Sequence, residues 1–310
     1  MTYSLIQVAL PVFIILAGGY SSVKFSVLTN AEAKGVLKFS QRVAIPIFLF
    51  LSMLKLDLGK IFNWYVLLSY YSGAIICFSL GAIVARRYLS TTIREAIAIG
   101  FCILFSNAVL LGLPITALAY GEETLASNLA IISVNAPICY LIGITLMELN
   151  SKNSSNLLQT ARNIVITILS NNITIGLLLG LLINVLGIGV FASLHKSLTL
   201  LSVGAVSIAL FSLGGVIVSY RLSNNVKKIV IIAIFSLFLH PILTSIIGHF
   251  LFSLPLEILK SAIIIGGMGP GINAFIFASI YKEETEVVAG AVLVCTPLSI
   301  FSTLIWISII

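Results

Sequence analysis

Apolar runs of about 20 residues, long enough to cross a bilayer as a helix, recur along this chain with short polar gaps between them. The pattern predicts ten, at about Leu5–Val23, Val36–Leu54, Trp64–Ala85, Ile97–Ala119, Leu125–Met147, Ile164–Leu186, Leu198–Tyr220, Val226–Leu251, Leu259–Tyr281 and Val287–Ile310. The longest polar stretch, Asn150-Ser-Lys-Asn-Ser-Ser-Asn156 with Gln159 and Arg162 after it, separates five spans from five and reads as a flexible linker. The expected fold class is an all-α integral membrane protein. Its first five-span unit covers residues 1–149, the linker 150–162, and the second unit 163–310.

Two spans carry polar, helix-breaking interruptions at matching positions. Span four contains Phe105-Ser-Asn-Ala-Val-Leu-Leu-Gly-Leu-Pro114, and span nine contains Gly266-Gly-Met-Gly-Pro-Gly-Ile-Asn273. Hydrocarbon offers no water to a freed N–H or C=O, so a break at membrane depth survives only where it lines a cavity or is buried in protein. Paired breaks of this kind point to a midplane ligand site. The halves also echo each other where each broken span ends: Ala117-Leu-Ala-Tyr-Gly-Glu-Glu-Thr124 matches Ala278-Ser-Ile-Tyr-Lys-Glu-Glu-Thr285, and Pro137 and Pro297 follow inside the next spans. Coincidence over eight residues is the bland account, but the equivalent placement favours duplication. Repeating an odd number of spans inverts the second copy, so two inverted repeats related by a pseudo-two-fold axis in the membrane plane are expected.

Composition narrows the class. With 59% hydrophobic residues, 9% charged residues and a mean hydropathy of +1.17, the chain requires the lipid bilayer as its partner. Its net charge of +7 does not point to nucleic acid, because the basic residues sit in gaps between spans. Lys24, Lys34, Lys38, Arg42, Arg86, Arg87, Arg94, Lys152, Arg162, Arg221, Lys227, Lys228 and Lys282 fall on one side, against Lys55, Lys60, Lys196 and Lys260 on the other. Thirteen against four of the 17 basic residues puts the first side in the cytoplasm. The expected location is the inner (plasma) membrane, with N- and C-termini outside. Met1–Val23 lacks a basic leader and a small-residue cleavage site, so it reads as a retained span. The four cysteines lie inside apolar segments without metal-type spacing, as small buried hydrophobes do.

The chemistry is defined largely by what the spans lack. No Gly-rich loop with Lys-Ser/Thr offers an ATP site, and none of the ten acidic residues lies deep in a span. An embedded metal enzyme has no ligands here and a proton relay no carboxylate, so the reading is no enzyme, no metal and no cofactor, with sodium or proton coupling left open. Asn107, Asn135 and Asn273 each offer two hydrogen-bond donors without negative charge, which suits an anion. Interhelical packing is the competing account, held evenly for Asn135. For Asn107 the balance moves toward ligand binding, because Gly112 and Pro114 open the helix beside it. The freed N–H groups of each following half-helix add the positive end of a helix dipole. His240, before Pro241, is either a titrating group or a kink residue. Ser106 and Thr296, with freed carbonyls near Pro114 and Gly271, are candidates for holding sodium. Arg42 and Lys38 fit snorkelling to the interface. The missing carboxylates favour electrogenic uniport of an anion.

These residues also carry a resemblance. Asn107-x-x-x-x-Gly112-x-Pro114 in span four and Gly271-Ile-x-x-Phe275-x-Phe277-Ala278-x-x-Tyr281 in span nine are its sharpest pieces. Pro46-x-x-x-Phe50, Leu210-Phe-Ser-Leu-Gly214 and His240-Pro241 support them. Over its whole length the chain resembles the auxin efflux carrier family, which includes plant auxin exporters and bacterial malonate and malate permeases. The resemblance implies two inverted five-span repeats, broken spans four and nine crossing at the substrate site, and a usually dimeric scaffold of spans one, two, six and seven against which the rest move in an elevator mechanism. It therefore implies a homodimer, and it matches Asn107 to the asparagine that meets the substrate carboxylate. Two departures stand out: Pro270 directly precedes Gly271, where plant members place the proline one residue earlier, and Asn171-Asn172 replaces a frequent Asn-Pro. The expected substrate site comprises Asn107, Gly112, Pro114 and Asn135 from the first half, with Gly269, Pro270, Gly271 and Asn273 from the second. The expected function is alternating-access transport of a small organic anion, such as a mono- or dicarboxylate. A bile-acid-type sodium symporter and a non-transporting ligand sensor are its rivals.

Overall fold

The computed structural model describes residues 2–54, 63–121, 125–150, 162, 165–166, 169–220 and 225–310. The linker between Asn150 and Arg162, and the acidic pair Glu122 and Glu123, lie outside the described residues. Helices dominate: α1 (Thr2–Lys24), α2 (Asn30–Leu54), α3 (Trp64–Tyr88), α4 (Ile93–Leu104), α5 (Ala108–Tyr120), α6 (Leu125–Leu149), α7 (Asn172–Val185), α8 (Ala192–Ile217), α9 (Val226–Leu251), α10 (Leu256–Gly266), α11 (Ile272–Tyr281) and α12 (Thr285–Ile309). Six of these, α2, α3, α6, α8, α9 and α12, are long and apolar enough to cross a membrane.

Several helices begin earlier than their apolar runs, because polar caps extend them. Thr29 and Glu32 form a reciprocal capping box at the start of α2, and Thr92 and Glu95 do the same for α4. Hydropathy alone therefore places spans two and four too far along the chain. Span six differs in another way. It is interrupted at Ser170–Asn171, where the Asn171 side chain accepts from the N–H groups of Ile173 and Thr174 and so starts α7.

Prolines shape three helices through one device. A wide π turn ends just before Pro46, Pro114 and Pro241, at Ser40–Ala44, Ala108–Gly112 and Phe235–Leu239. Proline has no N–H, and its ring crowds the carbonyl four residues back, so the widened turn relieves the crowding. The orphaned carbonyls are taken by neighbouring helices. Asn172 Nδ2 donates to Arg42 O at 2.7 Å, and Ser302 Oγ and Trp306 Nε1 donate to Leu237 O at 2.9 and 3.0 Å.

Packing sorts the helices into two groups. α1 lies on α8, while α2 packs on both α7 and α8. The contacts are backbone to backbone: a Cβ added at Gly214 would sit 1.9 Å from Leu16 O, and one at Gly176 would sit 2.4 Å from Pro46 O. In the other group α3 packs on α4 and α9, α9 on α10 and α12, and α6 on α4 and α10. α1 joins the groups through α5 and α12.

Candidate functional site

The two interruptions meet each other. At about 1.5 Å per residue, α4 and α10 are under 20 Å long and stop short of the bilayer's far side. Their chains continue as extended segments that pair antiparallel, with Ser106 opposite Pro270. The Asn107 N–H donates to Gly269 O at 2.9 Å, and the Gly271 N–H donates to Phe105 O at 3.2 Å. Each break thus satisfies backbone groups that the other has freed, in a place where water is not at hand. Pro270, lacking an N–H, falls at the position of this short ladder that has no bond to donate. Glycine is required on sterics here, since a Cβ at Gly269 would lie 2.5 Å from Cys295 Cβ. The Gly269 N–H itself donates to Ser299 Oγ at 3.1 Å.

Beside this crossing lies a narrow cavity of about 30 Å³, roomy enough for only about two waters. Ser106, Asn107, Asn135, Gly271 and Asn273 line it, with Ala108 and Ile272 at the starts of α5 and α11. The first N–H groups of a helix have no partner within it, so both half-helices turn their positive ends toward the cavity. Asn107 is 6% exposed and its Nδ2 has no hydrogen-bond partner. Asn135 Oδ1 accepts from Cys139 Sγ at 3.5 Å. No charged side chain is among the lining residues.

The other expected residues stand outside the lining. Gly112 packs on Ile265 of α10, and Pro114 shapes the π turn of α5. Gly269 and Pro270 form the extended strand rather than the wall. Thr296 and His240 are fully buried away from the cavity, with Thr296 Oγ1 and His240 Nδ1 unpartnered. Ser106 and Thr296, grouped from the sequence as sodium ligands, are thus not in a common lining. The Ser106 hydroxyl instead shares a 2.5 Å hydrogen bond with Tyr70, whose ring lies 4.7 Å from that of His240. His240 also contacts the Tyr70 backbone oxygen through its Nε2 at 3.2 Å, and its ring lies beside Gly266 at the end of α10.

Sequence reasoning missed Tyr70 and Gln41. Gln41 sits in the π turn of α2 and lines the cavity with Ile45 and Ile173. Its signal was a polar residue five positions before a span proline. Tyr70 had none. No group of three or more His, Cys, Asp or Glu side chains that would hold a metal exists among the described residues.

Ion pairs gather at one end of the second broken span. Arg94 Nε bonds Glu283 at 2.8 Å, with its guanidinium 5.9 Å from the Tyr281 ring centre, and Lys228 pairs with Glu284. An equivalent contact lies at the end of the first broken span, where Lys260 of α10 sits 5.0 Å from the Tyr120 ring centre. A family model described as "Membrane transport protein" matches residues 4–307. No curated protein matches the chain.

Proposed function

Because the chain belongs to the membrane transport protein family of the auxin-efflux-carrier type, we propose that it carries a small organic anion, a mono- or dicarboxylate, by alternating access around the crossing of α4–α5 with α10–α11. The protein is a multi-pass membrane protein. The observation that carries the reading is Asn107 Nδ2, a buried donor without a partner beside a carboxylate-free cavity onto which two helix N-termini open. A donor in that position is costly unless a ligand accepts its hydrogen bond.

The wider architecture of the proposal is ten spans in two inverted repeats. The reciprocal pairing of residues 105–107 with 269–271 supports it, as do the matched contacts of Arg94 on Tyr281 and Lys260 on Tyr120. At about 30 Å³ the cavity must widen to admit a carboxylate, so one group of helices moves against the other. α1, α2, α7 and α8 form the fixed scaffold, paired in a homodimer. The chain resides in the inner (plasma) membrane and needs no cofactor. An anion of charge −1 gains about 2.3 kcal/mol per 100 mV on leaving a negative-inside cell, so export proceeds without a coupled ion.

Purified protein in proteoliposomes tests this on a solid-supported membrane. Adding a carboxylate should raise currents without sodium, with the same sign at pH 6 and pH 8. Asn107→Ala should weaken binding by about 1.5–3 kcal/mol, the value of a hydrogen bond to a charged group, and leave folding intact. Currents that need sodium would favour a symporter, binding without current a sensor, and an unaffected Asn107→Ala would make that residue a packing element.

A further inference from the structure

Building on the carboxylate reading above, we infer that Gln41 is the specificity-determining residue for the end of the substrate remote from its first carboxylate. The cavity has two walls of different origin. Asn107, Asn135 and Asn273 come from the start of α5, from α6 and from α11, and the rest of the lining includes Gln41 and Ile45 of α2 with Ile173 of α7. A carboxylate held by Asn107 directs the rest of the molecule toward that second wall. Gln41 is the one polar side chain that α2 and α7 contribute to the lining, where the others are Ile45 and Ile173. It is half-buried and has no hydrogen-bond partner among the described residues.

The backbone fixes Gln41 in place. It occupies the π turn Ser40–Ala44, and Ser40 Oγ donates to Val36 O at 2.9 Å on one side of it. On the other side Asn172 Nδ2 ties Arg42 O to the start of α7 at 2.7 Å. An ordinary helical turn would rotate residue 41 differently about the axis, so the π turn is part of how this amide meets the cavity. An amide both donates and accepts, so it serves a second carboxylate or a hydroxyl and leaves an alkyl end unsatisfied. The preference expected is for dicarboxylates and hydroxy acids over plain monocarboxylates.

The test measures dissociation constants of succinate, lactate and propionate by calorimetry, for the wild-type protein, Gln41→Leu and Gln41→Asn, each with its melting temperature. Gln41→Leu should weaken succinate and lactate roughly tenfold and leave propionate within about twofold, as loss of one ligand hydrogen bond requires. Gln41→Asn should restore part of the preference. Equal weakening of all three acids, or none, at an unchanged melting temperature would overturn the assignment of Gln41 while leaving the carboxylate reading intact. A wild-type protein that binds none of the three overturns both, and one that binds them without preference overturns the assignment alone.

Discussion

At the scale of single residues, the crossing is a problem of space before it is one of chemistry. Two helix breaks approach each other and α12 closely enough that side chains are excluded at chosen points. The glycines of Gly266–Gly271 do not share this duty equally. A methyl at Gly269 would meet Cys295 Cβ at 2.5 Å and its backbone at 3.2 Å, neither of which can swing aside. At Gly271 the nearest atom is Asn107 Cα at 3.4 Å, an ordinary contact. Gly269→Ala should therefore lower the melting temperature by the equivalent of about 1–3 kcal/mol, the cost of overpacking, and Gly271→Ala by clearly less. Fluorimetric melting of the two purified variants distinguishes them, and equal losses would contradict this account. From the chain alone, the cluster reads as a break. Which glycine faces a wall is visible only when the wall is present.

At the scale of elements, proline and its neighbours decide how each helix is joined to the next. Pro46 cannot donate to Arg42 O, and Asn172 of α7 does so instead. This explains why asparagine at position 172 is useful in this chain. Asn172→Ala should cost about 1 kcal/mol, the net value of a hydrogen bond. The loss should shrink when Pro46→Ala supplies an N–H for the same carbonyl. A double-mutant cycle on melting temperatures reads that coupling directly, and strictly additive losses would show that the contact between α2 and α7 is incidental. The interruption of span six belongs here too. Apolar residues flank Ser170-Asn171-Asn172 on both sides, so a hydropathy average over about 20 residues passes over the interruption, whereas Asn171 capping α7 reveals it.

At the scale of the whole molecule, charge orients what packing assembles. Thirteen basic residues against four predict a cytoplasmic linker and both termini outside. In a cysteine-free background, a cysteine at Ser154 should resist a membrane-impermeant thiol reagent in intact cells, and one at Thr2 should react. The reverse labelling would invert the topology and the direction of every transport step above. The same asymmetry fits the ion pairs of Arg94 with Glu283 and Lys228 with Glu284, which tie α4 and α9 to the connection between α11 and α12. These contacts join neighbouring helices of one group to each other.

The sequence by itself determined that the chain is helical and membrane-embedded, where its two breaks fall, and that Asn107 stands beside one of them. Those features rest on local physics, since apolar length, missing N–H groups and backbone freedom are properties of neighbours in the chain. Packing settled the register in which the two breaks pair, Ser106 opposite Pro270, and showed that Thr296 and His240 stand apart from the cavity while Gln41 and Tyr70 belong to the site's surroundings. Residues 106 and 270, or 41 and 107, come together only through packing across long stretches of chain. The hydrogen bonds that satisfy a broken helix in a dry interior are made between segments, and periodicity within one segment carries no record of its partner.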